Sequence, residues 1–276
     1  MNNHVRVGID AGGTLIKVVC KEGKDIRFSS FPVSRMEECT ERFDRYDPET
    51  EICLTGGKAS LLRKKISEKR VSTIGEFAAS CSGARFLLRE QYEQIPEAFI
   101  LTNVGTGTSI HFVEGEKNSR ISGTGVGGGT IIGLSGLLTG VHDFNQMMEL
   151  AKLGKRNHVD LTVAHIYEGY TPPIPGDLTA SNFGLVSADS EGISDSDKIA
   201  SVIGLVAETV TTMSVLAAEN KQVDTVVYIG SSFVGNPALK EVVTGYSTFR
   251  GTTPIIPERG QYSGAIGALL SLETPG

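Results

Sequence analysis

The sequence holds no C-x-x-C pair, no H-E-x-x-H and no apolar run of 18 residues. Its four cysteines (Cys20, Cys39, Cys53, Cys81) are scattered, which argues against a zinc ribbon, an iron–sulfur cluster or a thioredoxin-like motif. No membrane span is expected. The opening MNNHVRVGID lacks the apolar core of a secretory signal, so a reducing cytoplasm is the expected location, with the cysteines as small buried hydrophobes. Cationic runs are short as well. None exceeds Arg63-Lys64-Lys65, and the net charge is -6, which speaks against charge-driven binding to nucleic acid or a membrane surface. The 33 glycines follow no G-x-y repeat, which excludes collagen; they cluster, as glycines do in loops built from backbone. A length of 276 residues allows two domains or one large one.

What is present reads as α/β. Val5 to Asp10 and Thr14 to Cys20 form a β-hairpin around Ala-Gly-Gly. Ile52 to Thr55 is a short strand, Ala59 to Lys69 a basic amphipathic helix, and Val71 to Ile74 is strand-like. Glu76 to Tyr92 is a helix with Phe77, Cys81, Ala84 and Leu88 on one face. Ala98 to Asn103 and Ser109 to Glu114 are strands around Gly105-Thr106-Gly107. Tyr170 to Asp177 (YTPPIPGD) cannot be regular, because its prolines forbid a helix or a central strand. Asp189 to Asp197 is an acidic connector. Asp197 to Asn220 is the clearest helix, with Ser194 or Ser196 as its cap. Val226 to Gly230 is a buried-type strand, and Tyr262 to Leu272 a small-residue helix. The order of elements implies mixed sheets rather than a plain βαβ series.

Three strand-to-glycine junctions share one design. In GIDAGGTLIK (Gly8 to Lys17) a carboxylate ends a strand, glycines turn the backbone, and Thr14 and Lys17 follow. Such a turn can aim N–H groups at phosphates, Asp10 can hold a hydrated Mg²⁺, and Lys17 can add a point charge. A plain Gly-Gly hairpin accounts for the same residues. NVGTGTS (Asn103 to Ser109) is a second such hairpin, with Thr106 at its tip. SGTGVGGGT (Ser122 to Thr130) leads into an apolar helix and contains G-x-G-x-x-G at Gly123, Gly125 and Gly128. The acidic residue of a dinucleotide site is misplaced, Asp143 lying too near. The physical reading is a loop that places anions on a helix N-terminus. A fourth junction, YIGSSF (Tyr228 to Phe233), is small enough for a ribose or base to approach. TGGK (Thr55 to Lys58) is not a P-loop.

These junctions, with PPIPGDLTASNFG (Pro172 to Gly184) and SGAIGALL (Ser263 to Leu270), resemble in sequence and order the type II pantothenate kinases of staphylococci and bacilli. That family lies within the actin-like ATPase and sugar kinase superfamily. PPIPGDLTASNFG carries most of the specificity, and the resemblance spans nearly the whole chain. It implies a two-lobed actin-like ATPase (ribonuclease H-like) fold with mixed sheets flanked by helices. It places a phosphate-binding lobe at 1–103, closed by a C-terminal helix at 263–276, and a nucleotide-binding and dimerisation lobe at 104–262. It implies ATP and Mg²⁺ as cofactors, transfer of the γ-phosphoryl group to pantothenate on the way to coenzyme A, and a homodimer built on Asp197 to Asn220.

Residue by residue, the resemblance makes Glu76 the base and has Arg120 pair with the substrate or the transferring group. Asp10, Ala11, Gly12, Gly13, Thr14, Leu15, Ile16 and Lys17 match the phosphate hairpin, Asp10 also being the metal ligand. Thr106, Gly128, Gly129, Thr130, Ile131, Ile132, Phe144 and Ser231 match ATP-contacting positions. Thr179, Ser181 and Tyr246 match the pantothenate pocket. Without the resemblance, Glu76 reads as a first-turn acid complementing its helix dipole, and Arg120 as a solvated strand-end arginine. Two departures stand out: Ala78 and Asn103 occupy positions where the family or superfamily often has an acid, leaving Mg²⁺ to lean on Asp10. The alternatives are a sugar or polyol kinase of the same superfamily and a non-enzymatic ATP switch. A dehydratase-activator ATPase would need paired cysteines, which the spacing does not supply.

Overall fold

Alternation of apolar and polar residues closes β1 (Val5–Ala11) and β2 (Leu15–Glu22) into the expected hairpin, with Val5 opposite Glu22 and Ala11 opposite Ile16. This computed structural model describes residues 5–44, 46–66, 70–187 and 192–273. β3 (Asp25–Pro32) runs antiparallel on β2. Past α1 (Met36–Asp44), β4 (Glu51–Thr55) lies parallel to β1. A short α2 (Ala59–Arg63) then leads to β5 (Arg70–Thr73), parallel to β4. The sheet order is β3-β2-β1-β4-β5. One face, through Val7, Ile9, Ile16 and Leu54, packs on Cys39 and Phe43 of α1 and Leu62 of α2.

The helix expected at Ala59–Lys69 is thus shorter. It ends at Arg63, where adjacent cations crowd, and the N–H groups of Lys65 and Ile66 both turn back to the Leu62 carbonyl. Residues 67–69 lie outside the described residues. β3 and α1 were not foreseen; exposed polar positions break the alternation of Asp25–Pro32.

α3 (Glu76–Gln91) follows, then an antiparallel run of β6 (Ala98–Val104), β7 (Thr108–Glu114) and β8 (Lys117–Thr124). α4 (Gly128–Thr139) and α5 (Phe144–Ala151) precede a small excursion: β9 (Leu161–Thr162), α6 (Val163–Tyr167) and β10 (Thr179–Ser181). Between α6 and β10 the proline-rich stretch is irregular, as its composition requires. α7 (Asp195–Lys221) leads to β11 (Thr225–Ile229), α8 (Pro237–Phe249), β12 (Thr253–Ile255) and α9 (Ser263–Leu270). The second sheet is β12-β11-β6-β7-β8.

A boundary at 103 would therefore cut β6, whose partners β7 and β11 both belong to the second sheet. The closing helix expected over 263–276 ends at Leu270, followed by turn residues to Glu273; 274–276 lie outside the described residues. Part of the connector expected at Asp189–Asp197 also lies outside them. At its end Ser194 accepts a hydrogen bond from the Asp197 N–H at 3.1 Å and caps α7.

Strands β6 and β11 of the second sheet are covered on both faces, which explains their near-continuous apolar sequences. Ile100, Val226 and Tyr228 face α4, α5, α7 and α8, whereas Phe99, Leu101, Val227 and Ile229 face Cys81, Ala84 and Leu88 of α3. α7 is long and apolar enough by length and composition to cross a membrane, but Ile199, Ile203, Val206 and Val210 form part of this core. α9 meanwhile packs on β1 and β4 of the first sheet. The helix pair α3–α9 thus joins the two sheets, with Leu87 of α3 meeting Ala265, Ile266, Leu269 and Val19.

The join is close because its surface is glycine. A Cβ on Gly83 would overlap the Ser263 carbonyl, one on Gly267 the Ala79 carbonyl, and one on Gly8 the Ala265 carbonyl. Backbone cannot move aside as a flexible side chain can. Gly267→Ala is expected to lower unfolding stability by about 1–3 kcal/mol, the usual range for overpacking. Urea denaturation measures it, and an unchanged midpoint would refute the close-packed seam.

Candidate active site

The two glycine hairpins meet at their tips. Thr14, between β1 and β2, and Thr106, between β6 and β7, place their hydroxyl oxygens 3.0 Å apart. Beneath them lies a cavity of about 330 Å³. Its lining gathers Asp10, Gly12, Gly13, Thr14, Leu15 and Lys17 from the first hairpin, Thr106 from the second, Glu76 from α3, Arg120 from β8, and Ser231 after β11. Ten of the residues expected from sequence therefore share one wall, although they span the chain from 10 to 231.

The other expected residues are placed differently. Ala11, Ile16 and Ile131 have fully buried side chains, so these three have only backbone to offer a nucleotide; Ile132 and Phe144 pack against the second core and keep part of their surface exposed. Thr179 and Tyr246 line a separate cavity of about 1270 Å³, together with Arg156, Asn182 and Glu208. There Thr179 donates to Glu208 at 2.7 Å and accepts from Arg156 at 3.0 Å. Ser181 is exposed at the end of β10 and lines neither cavity. A single chain does not bring these three to Glu76 and Arg120.

The third glycine loop also needs correcting. The N–H groups of Gly128 and Gly129, at the start of α4, donate to the carbonyls of Gly105 and Thr106 at 2.8 Å each. The Gly127 N–H donates to Thr130 Oγ1 at 3.1 Å. The positive end of α4 thus holds the second hairpin in place instead of facing the cavity as an anion site. Ser232 adds a hydrogen bond to the Gly105 carbonyl at 3.2 Å.

Charge in the cavity is concentrated. Lys17 Nζ stands 3.3 Å from Asp10 Oδ2, with both side chains 13% exposed. The first turn of α9 backs Asp10 so closely that a Cβ on Gly264 would stand 2.9 Å from Asp10 Oδ2. Glu76 is raised above the ordinary glutamate range, first by burial and then by the Asp10 charge, with Lys17 acting in the opposite sense. A carboxylate raised in this way is a better proton acceptor than a solvated one.

Sequence reasoning missed Phe77, Ser109 and Thr124, all on the cavity wall. The 3–4 spacing groups Phe77 on one face with Cys81, Ala84 and Leu88, yet Phe77 is 42% exposed while those three are buried. The period-2 alternation of β7, which buries Thr108 and Ile110 while Ser109 stays half-buried, carried a signal for Ser109.

Fold and cavity together define an actin-like ATPase: two mixed sheets, glycine hairpins converging at their ends, and a polar cavity between them. The Fumble family profile matches residues 19–271. A type II pantothenate kinase of Staphylococcus saprophyticus is 43% identical over 96% of this chain and 99% of its own. Among solved structures, (R)-2-hydroxyglutaryl-CoA dehydratase component A of Acidaminococcus fermentans superposes with a TM-score of 0.63, at 19% identity over 97% of each chain. A ROK family glucokinase of Streptomyces griseus, in complex with glucose and AMPPNP, has a TM-score of 0.59 at 13% identity, covering 97% of this chain and 98% of that one. The structural likenesses are those of fold alone. The chain belongs to the Fumble family, among the type II pantothenate kinases, and is an ATP-using enzyme.

His111, behind the cavity, is 1% exposed, and its pKa is lowered from 6.5 to about 4 by burial and by the Arg120 charge. Above pH 6.5 both folded and unfolded chains keep this imidazole neutral. As pH falls from 6.5 to about 4, the unfolded chain takes up a proton that the folded one refuses, so stability is lost across that window. His111→Phe should flatten this part of the pH–stability curve in urea unfolding. An unaltered curve would refute the buried neutral imidazole.

Proposed function

We propose that this enzyme transfers the γ-phosphoryl group of ATP to the primary hydroxyl of pantothenate, the first step towards coenzyme A. One observation carries the reading: Asp10, Lys17, Glu76, Arg120 and both glycine hairpins converge on one cavity. Phosphoryl transfer asks a protein mainly for positioning and charge stabilisation, and that set supplies both. In this reading the backbone of the two hairpins holds the phosphates, Lys17 adds positive charge, and Glu76 accepts the hydroxyl proton as the oxygen attacks. Arg120 faces an anion, either the acceptor's carboxylate or the transferring group.

The donor set suits Mg²⁺. Among the described residues no group of three or more His, Cys, Asp or Glu is placed to hold a metal ion. Mg²⁺ is commonly held by one or two carboxylates with substrate phosphates, and Asp10 would be that carboxylate. When bound, the ion offsets phosphate charge.

The lobes we infer follow the sheets. The first carries β1 to β5, the second β6 to β12, and α9 returns to the first. A homodimer also fits. Ile166, Ile174 and Phe249 line the larger cavity and are exposed. A second copy seated there would cover this apolar rim. Sedimentation equilibrium should give twice the chain mass; a monomer at micromolar concentration would exclude this. A cytoplasmic location goes with the reading, since all four cysteines are buried free thiols.

The direct test is ADP release from ATP, with and without pantothenate and Mg²⁺, and mass spectrometry for the phosphorylated acceptor. Release that depends on both is expected. ATP binding with no response to pantothenate would discard the substrate. Glu76→Gln should lower kcat by about 100-fold or more while nucleotide binding is kept. Because Glu76 is raised, the acid limb of kcat/KM should fall above the ordinary glutamate value of about 4.3 and be absent in the variant. Near-normal turnover in Glu76→Gln would remove it as the base.

A further inference from the structure

Arg120 reaches the cavity through a fault in the sheet. On β8 it stands opposite His111 of β7, but Ile110 faces Ser122, so Ile121 is the extra residue of a β-bulge. Bulges re-aim neighbouring side chains. The re-aimed guanidinium lies over the ring of Phe77, 5.7 Å from its centroid. It also crosses the α-carbon of Gly123, where any Cβ would overlap Nη2. Phe77 is backed in turn by His111, the rings 4.8 Å apart and tilted by 51°. His111 is itself fixed, with Nε2 3.1 Å from Ser109 Oγ.

Among the described residues no carboxylate pairs with Arg120. A carboxylate would fix the guanidinium but neutralise it. An aromatic face attracts the cation and leaves its N–H donors free. Phe77 is 42% exposed and lies outside the core clusters. We propose that Phe77, backed by His111, and Gly123 form a slot that positions Arg120 with its charge unpaired, ready for an anion in the cavity. Phe77 is then a positioning residue acting through Arg120, and the inference rests on the kinase reading above.

Gly123→Ala is a poor test, because its methyl would also stand 2.9 Å from the Thr108 carbonyl and disturb the strand pairing. Phe77→Leu keeps apolar bulk and removes the ring. It should lower kcat/KM for pantothenate about tenfold, the scale of a partly desolvated cation–π contact, with KM for ATP within about twofold. Phe77→Tyr should restore the value. In an Arg120→Ala background, Phe77→Leu should cost nothing more. A wild-type rate in Phe77→Leu, or an equal loss in both backgrounds, would overturn the slot. A second readout needs no turnover. The Arg120 Nε–H resonance, assigned by its loss in Arg120→Ala, should shift in Phe77→Leu and hold in Phe77→Tyr. If the wild-type protein shows no pantothenate-dependent ADP release, the kinase reading falls. The slot is then decided by that resonance, and an unshifted signal in Phe77→Leu overturns it.

Discussion

Everything in the active site hangs on the contact between α3 and α9. Two helices can meet backbone to backbone only where side chains are missing, and Gly83 and Gly267 supply that on facing surfaces. Each helix is also committed to a different sheet, α3 to the second and α9 to the first. The seam therefore fixes the separation of the sheets, and with it where the hairpins meet. Glu76 begins α3, and the first turn of α9 backs Asp10. Two carboxylates of the cavity, Glu76 and Asp10, are thus carried by the same joint that holds the sheets together.

The electrostatics follow from that placement. Asp10 and Glu76 are brought near enough to feel each other, and partial desolvation together with the Asp10 charge raises Glu76. Lys17 relieves part of this, paired with Asp10 on the adjacent strand. On the far wall the logic is reversed. Arg120 is held by a ring and a glycine, so its charge is not spent within the protein. The cavity thus has a compensated side and an uncompensated one.

Local chemistry made much of this legible. The hairpins, the long helix with its Ser194 cap and the irregular YTPPIPGD stretch follow from period, capping and proline geometry, and the structure bears them out. Asp10, Lys17 and Thr106 stand out because glycine turns announce backbone near a ligand. Glu76 and Arg120 do not; they were picked out by resemblance, and only the fold brings them into one cavity. What the sequence hid was non-local. Nothing local in Gly128 and Gly129 says that their N–H groups will be used by Gly105 and Thr106, more than twenty residues earlier. Nothing in FAASCSGA says that Phe77 faces a cavity while Cys81 and Ala84 face a sheet. The strand Ala98–Val104 was found, but its sheet was not, since its outer neighbour β11 comes over 100 residues later.

The position of α9 bears on how the chain is made. The ribosome delivers β1 first and α9 after every other element described. Until then the face of the first sheet that includes Val19 lacks its cover, and Leu87 of α3 lacks the side chains it will meet. Vectorial synthesis can complete the outer helices of either sheet as they emerge, but the joint must wait for Ser263 to Leu270. The nascent chain therefore carries an open apolar surface until α9 has emerged, and the two sheets are joined only with that helix.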